Sequence, residues 1–166
     1  MDYLRKQVKS KIDSPAHTGD FFVDILQAIK VKDLTEHVKN VKLIPEDMMF
    51  SEFKKYFSET KQHYFPVMDK AKRLVRIFSI NDIRGVLFSS EIEKLVMMKD
   101  IGTSDMIVTT PSDDLNSVLK KFTEKNIDSL PVVQDDDPGI LIGMLRRREV
   151  ISFYNEQVQK MKMGNH

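Results

Sequence analysis

The chain has 166 residues, the length of one domain or of two small domains packed together. Hydrophobic residues make up 41% of it and charged residues 31%, as in soluble globular proteins, and a formal net charge of +1 gives no broad electrostatic case for nucleic-acid binding. The absence of cysteine excludes disulfides and thiolate chemistry, and no apolar run approaches the roughly 20 residues of a membrane span.

Residues 1–30 are predicted to form a linker arm that ends in a short helix. Residues 1–20 are polar and carry four cations, Arg5, Lys6, Lys9 and Lys11. Two interpretations of this strip are open: a solvated arm, or a juxtamembrane segment on the cytoplasmic side, where Lys and Arg accumulate beside membrane spans. Apolar residues at helical spacing between positions 21 and 30 predict a helix that docks the arm onto the body.

Residues 31–90 are predicted to form a first structural unit. A strand over 41–44 is followed by a helix that begins near Pro45, because proline suits a first helical turn. Two apolar strands, over 65–69 and 74–78, then lead into a helix over about 81–88. The unit therefore combines a small sheet with two helices.

A connector over 91–103 leads into a second unit over 104–160. The apolar link Leu95-Val96-Met97-Met98 is expected to pack on the body. A strand over 106–108 precedes a helix whose N-cap and first position are predicted to be Thr110 and Pro111. Strands over 130–134 and 140–145 flank an Asp-Pro-Gly turn, and the last helix runs from about 147 to 161, before a frayed tail over 161–166.

The two units repeat each other with a period near 65 residues. Phe65-Pro66-Val67-Met68-Asp69 returns as Leu130-Pro131-Val132-Val133-Gln134, each copy with a proline near the start of a strand, where a strand tolerates it. Each unit leaves an apolar sheet face that it cannot cover alone. The predicted fold class is α/β (α+β): two β-α-β-β-α units packed sheet to sheet, preceded by the arm.

The sequence carries no pattern typical of a catalytic or metal site. It has no GxGxxG, GxxxxGK[ST] or GxSxG motif, no nucleophile–base pair at a useful spacing, and no metal-ligand spacing among its four histidines. His63, just before a strand, is expected to be a partly buried structural residue. We therefore predict a protein that is not an enzyme and has no metal site.

One group of residues, at the junction between a predicted strand and a predicted helix, has the spacing of a binding site. Ser79 ends a predicted strand and Asp82 follows three residues later. Free N–H groups at a helix start, with a hydroxyl beside them, can hold a phosphate, and the Asp could accept both hydroxyls of a ribose. The same spacing is also that of an ordinary helix N-cap, and both interpretations are open at this point.

The tandem units resemble a pair of CBS domains, often called a Bateman module. The resemblance covers about 31–158 and rests on the two Pro-containing strands, on Ile142-Gly143-Met144-Leu145 and on the closing helices. It implies that a Ser or Thr and an Asp at the strand-to-helix junction contact an adenine nucleotide, with ATP, ADP or AMP as a regulatory ligand and no required cofactor. The candidate nucleotide-binding residues are Ser79, Asp82, Ile77, His63, Tyr64, Arg146 and Glu149.

The second unit departs from the CBS pattern at this junction. Arg146 stands where the family has Ser or Thr, Glu149 replaces Asp, and in the first unit Arg76 replaces the usual Gly. The resemblance therefore implies at most one standard site. The run from Arg146 to Arg148 could meet a phosphate or could form a solvated helix start.

A second resemblance lies in the arm. Ser14-Pro15-Ala16-His17, followed by Gly19-Asp20-Phe21, is similar to the segment that joins the last membrane helix of bacterial CLC chloride channels and transporters to their cytoplasmic CBS pair. It implies a homodimeric regulatory module of a CLC-type channel or chloride/proton antiporter, on the cytoplasmic face of the cell membrane, with the membrane portion of the same polypeptide as partner. Two alternatives remain: a ligand-free dimerisation module, and a CBS-pair sensor attached to an enzyme or cytosolic regulator.

Overall fold

A computed structural model describes residues 18–87 and 89–164. Residues 1–17 of the predicted basic strip over 1–20, the end of the third predicted helix at Phe88 and the last two residues lie outside the described residues. The helices are α1 (Thr18–Ala28), α2 (Phe50–Phe57), α3 (Ile80–Leu87), α4 (Leu115–Lys125) and α5 (Arg147–Met163), with two 3₁₀ helices, Val31–His37 and Met98–Asp100. The strands are β1 (Ile44–Pro45), β2 (Tyr64–Met68), β3 (Leu74–Ser79), β4 (Ser129–Val133) and β5 (Leu141–Arg146).

The sheets confirm the mixed α/β class and the repeat. In the first unit β1 runs parallel to β2, and β2 pairs antiparallel with β3, in the order β1-β2-β3. In the second unit β4 pairs antiparallel with β5. A parallel bridge between Thr109 and Val132 stands where Ile44 pairs with Val67 in the first unit. Both hairpins also carry a register shift at corresponding positions, after Val67 and after Val132.

Each unit has its own hydrophobic core, and each core borrows the segment that precedes the other unit. The first core is rich in aromatic rings, with Phe53 in edge-to-face contact with Phe65 and Phe78 at centroid distances of 5.0 and 5.2 Å. It also takes in Met98 and Ile101, which precede the second unit. The second core takes in residues of α1 and of the 3₁₀ helix Val31–His37, which precede β1 of the first unit.

Backbone hydrogen bonds repeat this exchange in both directions. Val31 N donates to Asp113 O at 2.9 Å, and Met98 N donates to Met48 O at the same distance, one repeat later. Lys39 exchanges two hydrogen bonds with Met144, at 2.9 and 2.8 Å, and the corresponding pair is Thr103 with Ile77. The two units are therefore interlocked: the entry segment of each is held by the other.

Several predicted element boundaries are wrong, each for a local reason. Pro45 lies in β1, an edge strand with room for a proline, and α2 begins only at Phe50. Asp114, not Thr110, caps α4 by accepting from Ser117 N at 2.8 Å, since Asp113 is occupied by Thr109, Thr110 and Lys121. Of the predicted strand over 41–44 only Ile44 pairs in the sheet, and the predicted strand over 106–108 forms no ladder.

Two predicted burials are also wrong. Leu95 was expected to pack on the body but is 80% exposed, although Met98 in the same link is fully buried. His63 is exposed rather than partly buried.

Candidate functional site

A cleft of about 1060 Å³ opens between the two units. It lies where β2 and β4 begin and where β3 and β5 pass into α3 and α5. His63 and Tyr64 line it from the first unit, and Asp128 and Ser129 occupy the corresponding place in the second. The cleft therefore has the approximate two-fold symmetry of the chain itself.

The lining of the cleft is strongly basic although the whole chain is nearly neutral. The six cations that line it are Lys39, Lys61, Arg84, Arg146, Arg147 and Arg148, against a single carboxylate, Asp128. Within the described part of the chain, none of these six side chains forms an ion pair or a side-chain hydrogen bond. The starts of α3 and α5, which are the positive ends of the helix dipoles, face the same space. Such a cleft favours an anion.

Ser79 lines the cleft, whereas Asp82 does not. Ser79 precedes the first residue of α3, and Asp82 is the third residue of that helix. The Asp82 carboxylate accepts from Ser79 N at 2.7 Å and from Ser79 Oγ at 3.3 Å. This is the geometry of a helix-capping pair, the structural alternative for the motif, and it keeps Ser79 at the cleft wall with its hydroxyl directed at Asp82.

The other predicted residues of the first unit divide in the same way. His63 lines the cleft, and its carbonyl accepts from Ile80 N at 3.2 Å. The Tyr64 hydroxyl accepts from Asp128 N at 3.2 Å, which joins the two units at the cleft. Ile77 lies outside the lining, because its N–H and carbonyl are paired with Thr103.

In the second unit Arg146 lines the cleft and Glu149 does not. Glu149 Oε2 lies 3.0 Å from His37 Nδ1, and the His37 ring packs against Phe153 at a centroid distance of 5.6 Å. Glu149 therefore fastens the 3₁₀ helix Val31–His37 to α5. The two acids at the corresponding third helical positions, Asp82 and Glu149, are both engaged elsewhere.

Sequence reasoning missed three of the cations. Lys61 and Arg84 lie within two residues of predicted site residues, so a charge count around those motifs could have found them. Lys39 had no such signal, because only its backbone pairing with Met144 brings it to the cleft.

A second contact joins the units through the hairpin turns. The Arg73 guanidinium donates to both carboxylate oxygens of Asp137, at 3.0 and 2.6 Å, and Leu74 N donates to Gly139 O at 2.8 Å. The hydrogen bond from Arg73, with a further one from Gly139 N, lowers the pKa of the Asp137 carboxyl. An Arg–carboxylate pair thus links the hairpin turn of the first unit to that of the second.

Among the described residues, no group of three or more His, Cys, Asp or Glu side chains could hold a metal ion. None of the helices described is both long and apolar enough to cross a membrane.

The model of one protein family matches the chain twice, over residues 31–89 and 98–156, under the description CBS domain. The chain belongs to the CBS-domain family. The two matches coincide with the two structural units, so the protein carries a tandem CBS pair.

Solved CBS structures share this fold at low sequence identity. CBSX2 in complex with AMP aligns with a TM-score of 0.65 at 24% identity, over 80% of this chain and 99% of that one. The CBS pair of MJ0100 in complex with 5′-methylthioadenosine and S-adenosyl-L-methionine gives 0.60 at 21%, over 77% and 97%. The CBS domain of a CBS-domain-containing membrane protein from Sphaerobacter thermophilus gives 0.60 at 20%, over 79% and 91%.

Curated relatives are longer than this chain. An uncharacterized protein of Methanocaldococcus jannaschii, MJ0188, is 28% identical over 127 residues, which are 76% of this chain and 45% of that protein. A homoserine O-acetyltransferase of Methanosphaera stadtmanae is 23% identical over 133 residues, 80% of this chain and 26% of that protein. The CBS pair thus spans less than half the length of these two relatives.

Proposed function

We propose that this CBS pair is a regulatory, non-catalytic module that binds an adenine nucleotide in the basic cleft between its units. The main support is the cluster of six cations that line the cleft, none of which forms an ion pair with another described residue. The adenosyl ligands of CBSX2 and MJ0100 support adenine as the base. No cofactor is required in this proposal, and the nucleotide is the regulatory ligand.

The phosphates are bound by the residues that line the cleft. Ser79 offers a hydroxyl beside the start of α3, where Asn81 also lines the cleft, and Arg146 offers a guanidinium from the end of β5. His63 and Tyr64 form the wall beside them. Asp82 reaches a ribose only by giving up its hydrogen bonds to Ser79, so ribose contact is a secondary part of the proposal.

The interlocked units offer a route by which ligand occupancy reaches the N-terminal arm. Helix α1 packs in the second core, and Lys39, at the cleft, pairs with Met144, two residues before Arg146. A ligand that prefers one arrangement of the units therefore shifts the position of the arm, by no more than its difference in affinity for the two arrangements. The position of the arm therefore depends on the arrangement of the second unit.

We propose a CLC-type chloride channel or antiporter as the setting, with a homodimeric pair on the cytoplasmic face of the cell membrane. The string from Ser14 to Phe21 supports this setting. The second candidate is a CBS pair in an enzyme or stand-alone regulator, and the partial match to a homoserine O-acetyltransferase favours it. Assaying chloride flux for the full-length protein in liposomes separates the two, since only the first setting gives flux.

Calorimetric titration of the purified chain with ATP, ADP, AMP and S-adenosylmethionine tests the binding step. We expect saturable binding of an adenine nucleotide that is lost in Arg148→Glu. The matched control is Lys120→Glu, which makes the same charge change at an exposed site outside the cleft and should keep the affinity. Absence of binding by all four ligands would contradict the proposal and favour a ligand-free dimerisation module.

A further inference from the structure

We propose that the cleft selects its ligand by phosphate count, so that it binds a triphosphate far better than a monophosphate and excludes cationic adenosyl compounds. The inference rests on the proposed function and specifies the chemical class of the ligand: a polyphosphate with three or more negative charges. It concerns the whole cleft, to which both units contribute cations.

The cleft is lined by many more cations than carboxylates. Six cations face one carboxylate, and the cations have no partner among the described side chains. One phosphate monoester, with at most two negative charges, neutralises a minority of them. A triphosphate brings about four negative charges and can reach cations of both units within a cleft of about 1060 Å³.

The position of the arginines gives the second step. Arg146 occupies the N-cap position of α5 without a capping hydrogen bond from its side chain, and Arg147 and Arg148 are the first two residues of the helix. A helix start favours negative charge, so three consecutive cations there oppose the local preference of the helix. Such a conflict between a local rule and the sequence is expected where a site serves a ligand. Guanidinium groups bind phosphate oxygens in pairs, which suits an anion with several phosphates.

The carboxylates give the third step. Asp82 is bound to Ser79 and Glu149 lies against His37, and neither lines the cleft. The two acids that could accept ribose hydroxyls are thus engaged, whereas the six cations have no side-chain partner among the described residues. A sulfonium ligand such as S-adenosylmethionine finds one carboxylate, Asp128, among six cations. Recognition at this cleft therefore depends on the phosphates more than on the ribose.

The experiment compares the affinities of AMP, ADP, ATP and inorganic tripolyphosphate by calorimetry, in EDTA, at two salt concentrations. Each added phosphate gains at least one charge-assisted hydrogen bond, so we expect roughly a tenfold gain per phosphate. ATP should therefore bind about 100-fold more tightly than AMP, and tripolyphosphate should bind measurably. Raising the salt should weaken ATP more than AMP, because the cleft is open to solvent.

The double variant Arg146→Gln, Arg148→Gln should narrow the ratio of ATP to AMP affinity by at least about tenfold. Its fold is not expected to suffer, since removing cations from a helix start relieves an unfavourable interaction, and thermal melting checks this. The matched control is Lys55→Gln, Lys120→Gln, which removes two exposed cations outside the cleft and should leave the ratio unchanged.

The outcomes separate this inference from the proposed function. Equal affinities for AMP and ATP, or an unchanged ratio in the arginine variant, would overturn the phosphate-count inference while nucleotide binding stands. Binding of tripolyphosphate without binding of any nucleotide would overturn the proposed function and support a polyanion cleft. Binding of neither class would overturn both.

Discussion

Replacing Gly143 by alanine tests the contact between the entry segment and the second unit. A Cβ at this position would lie 2.7 Å from Lys39 O and 2.7 Å from Val38 Cγ1, closer than a carbon atom tolerates. Lys39 O is also the acceptor for Met144 N, so residue 39 cannot retreat without breaking the paired hydrogen bonds at 2.9 and 2.8 Å. The alanine methyl must therefore separate the segment from β5.

Two contributions determine how much the free energy of unfolding falls in Gly143→Ala. Two backbone hydrogen bonds are each worth about 0.5–1.5 kcal/mol, and forcing an extra methyl into a filled contact costs about 1–3 kcal/mol. Because the segment can shift partly outward, we expect the free energy of unfolding to fall by about 2–4 kcal/mol. Urea denaturation measures the loss, and hydrogen exchange at the Lys39 and Met144 amides locates it.

Gly85→Ala is the matched control for this substitution. Gly85 lies inside α3, and nothing comes within 4 Å of an added Cβ there. Alanine should stabilise the helix by about 0.8–1 kcal/mol. If Gly143→Ala changed the stability by less than about 0.5 kcal/mol and left the Lys39 amide protected, the close approach would not hold the segment, and the proposed route to the arm would lose its basis.

Two further predictions concern acids that cap helices and turns. Asp82→Ala removes the acceptor for Ser79 N and should cost about 0.5–2 kcal/mol of stability in urea denaturation. If Asp82 also holds a ribose, nucleotide affinity should fall by one to two decades in calorimetry, and a stability loss with unchanged affinity would leave it a helix-start acid alone. Burial raises the pKa of Asp113, but hydrogen bonds from Thr109, Thr110 and Lys121 outweigh this and leave the pKa lowered from 3.8. A lowered folded-state pKa contributes stability above pH 3.8 that is lost as the pH falls through the folded value, so Asp113→Asn should be about 1–2 kcal/mol less stable at pH 7 and converge with the wild type in acid. A difference that did not shrink below pH 3.8 would contradict the role of the charge.

The repeat and its hairpins were predictable because their signals are local. Pro66 and Pro131 each mark a strand at the corresponding position of its unit, and both strands begin two residues before the proline. At Pro66 the partner on the far side, β1, pairs only with the two residues that follow, so the missing N–H costs no ladder bond. The Ser79–Asp82 cap was one of the two interpretations that the sequence offered, since it depends on residues three apart.

Helix starts were predicted less well, because several residues compete for the same role. Thr110 and Pro111 form a plausible cap in sequence, yet Asp113 is drawn to Thr109 and Lys121, and Asp114 takes the capping position. The choice among them depends on where Lys121 and Thr109 come to lie. Sequence spacing has no access to that arrangement.

The sequence by itself determined that two similar α/β units follow each other and where their hairpins and last helix lie, because periodicity and proline placement act over a few residues. Only the tertiary structure decided that each entry segment joins the opposite core, and that cations from positions as distant as Lys39 and Arg148 share one cleft. These outcomes depend on contacts between residues distant in sequence, from 26 positions for Ile77 and Thr103 to 105 positions for Lys39 and Met144. The basic charge of the cleft therefore arises from the fold and cannot be inferred from the net charge of +1.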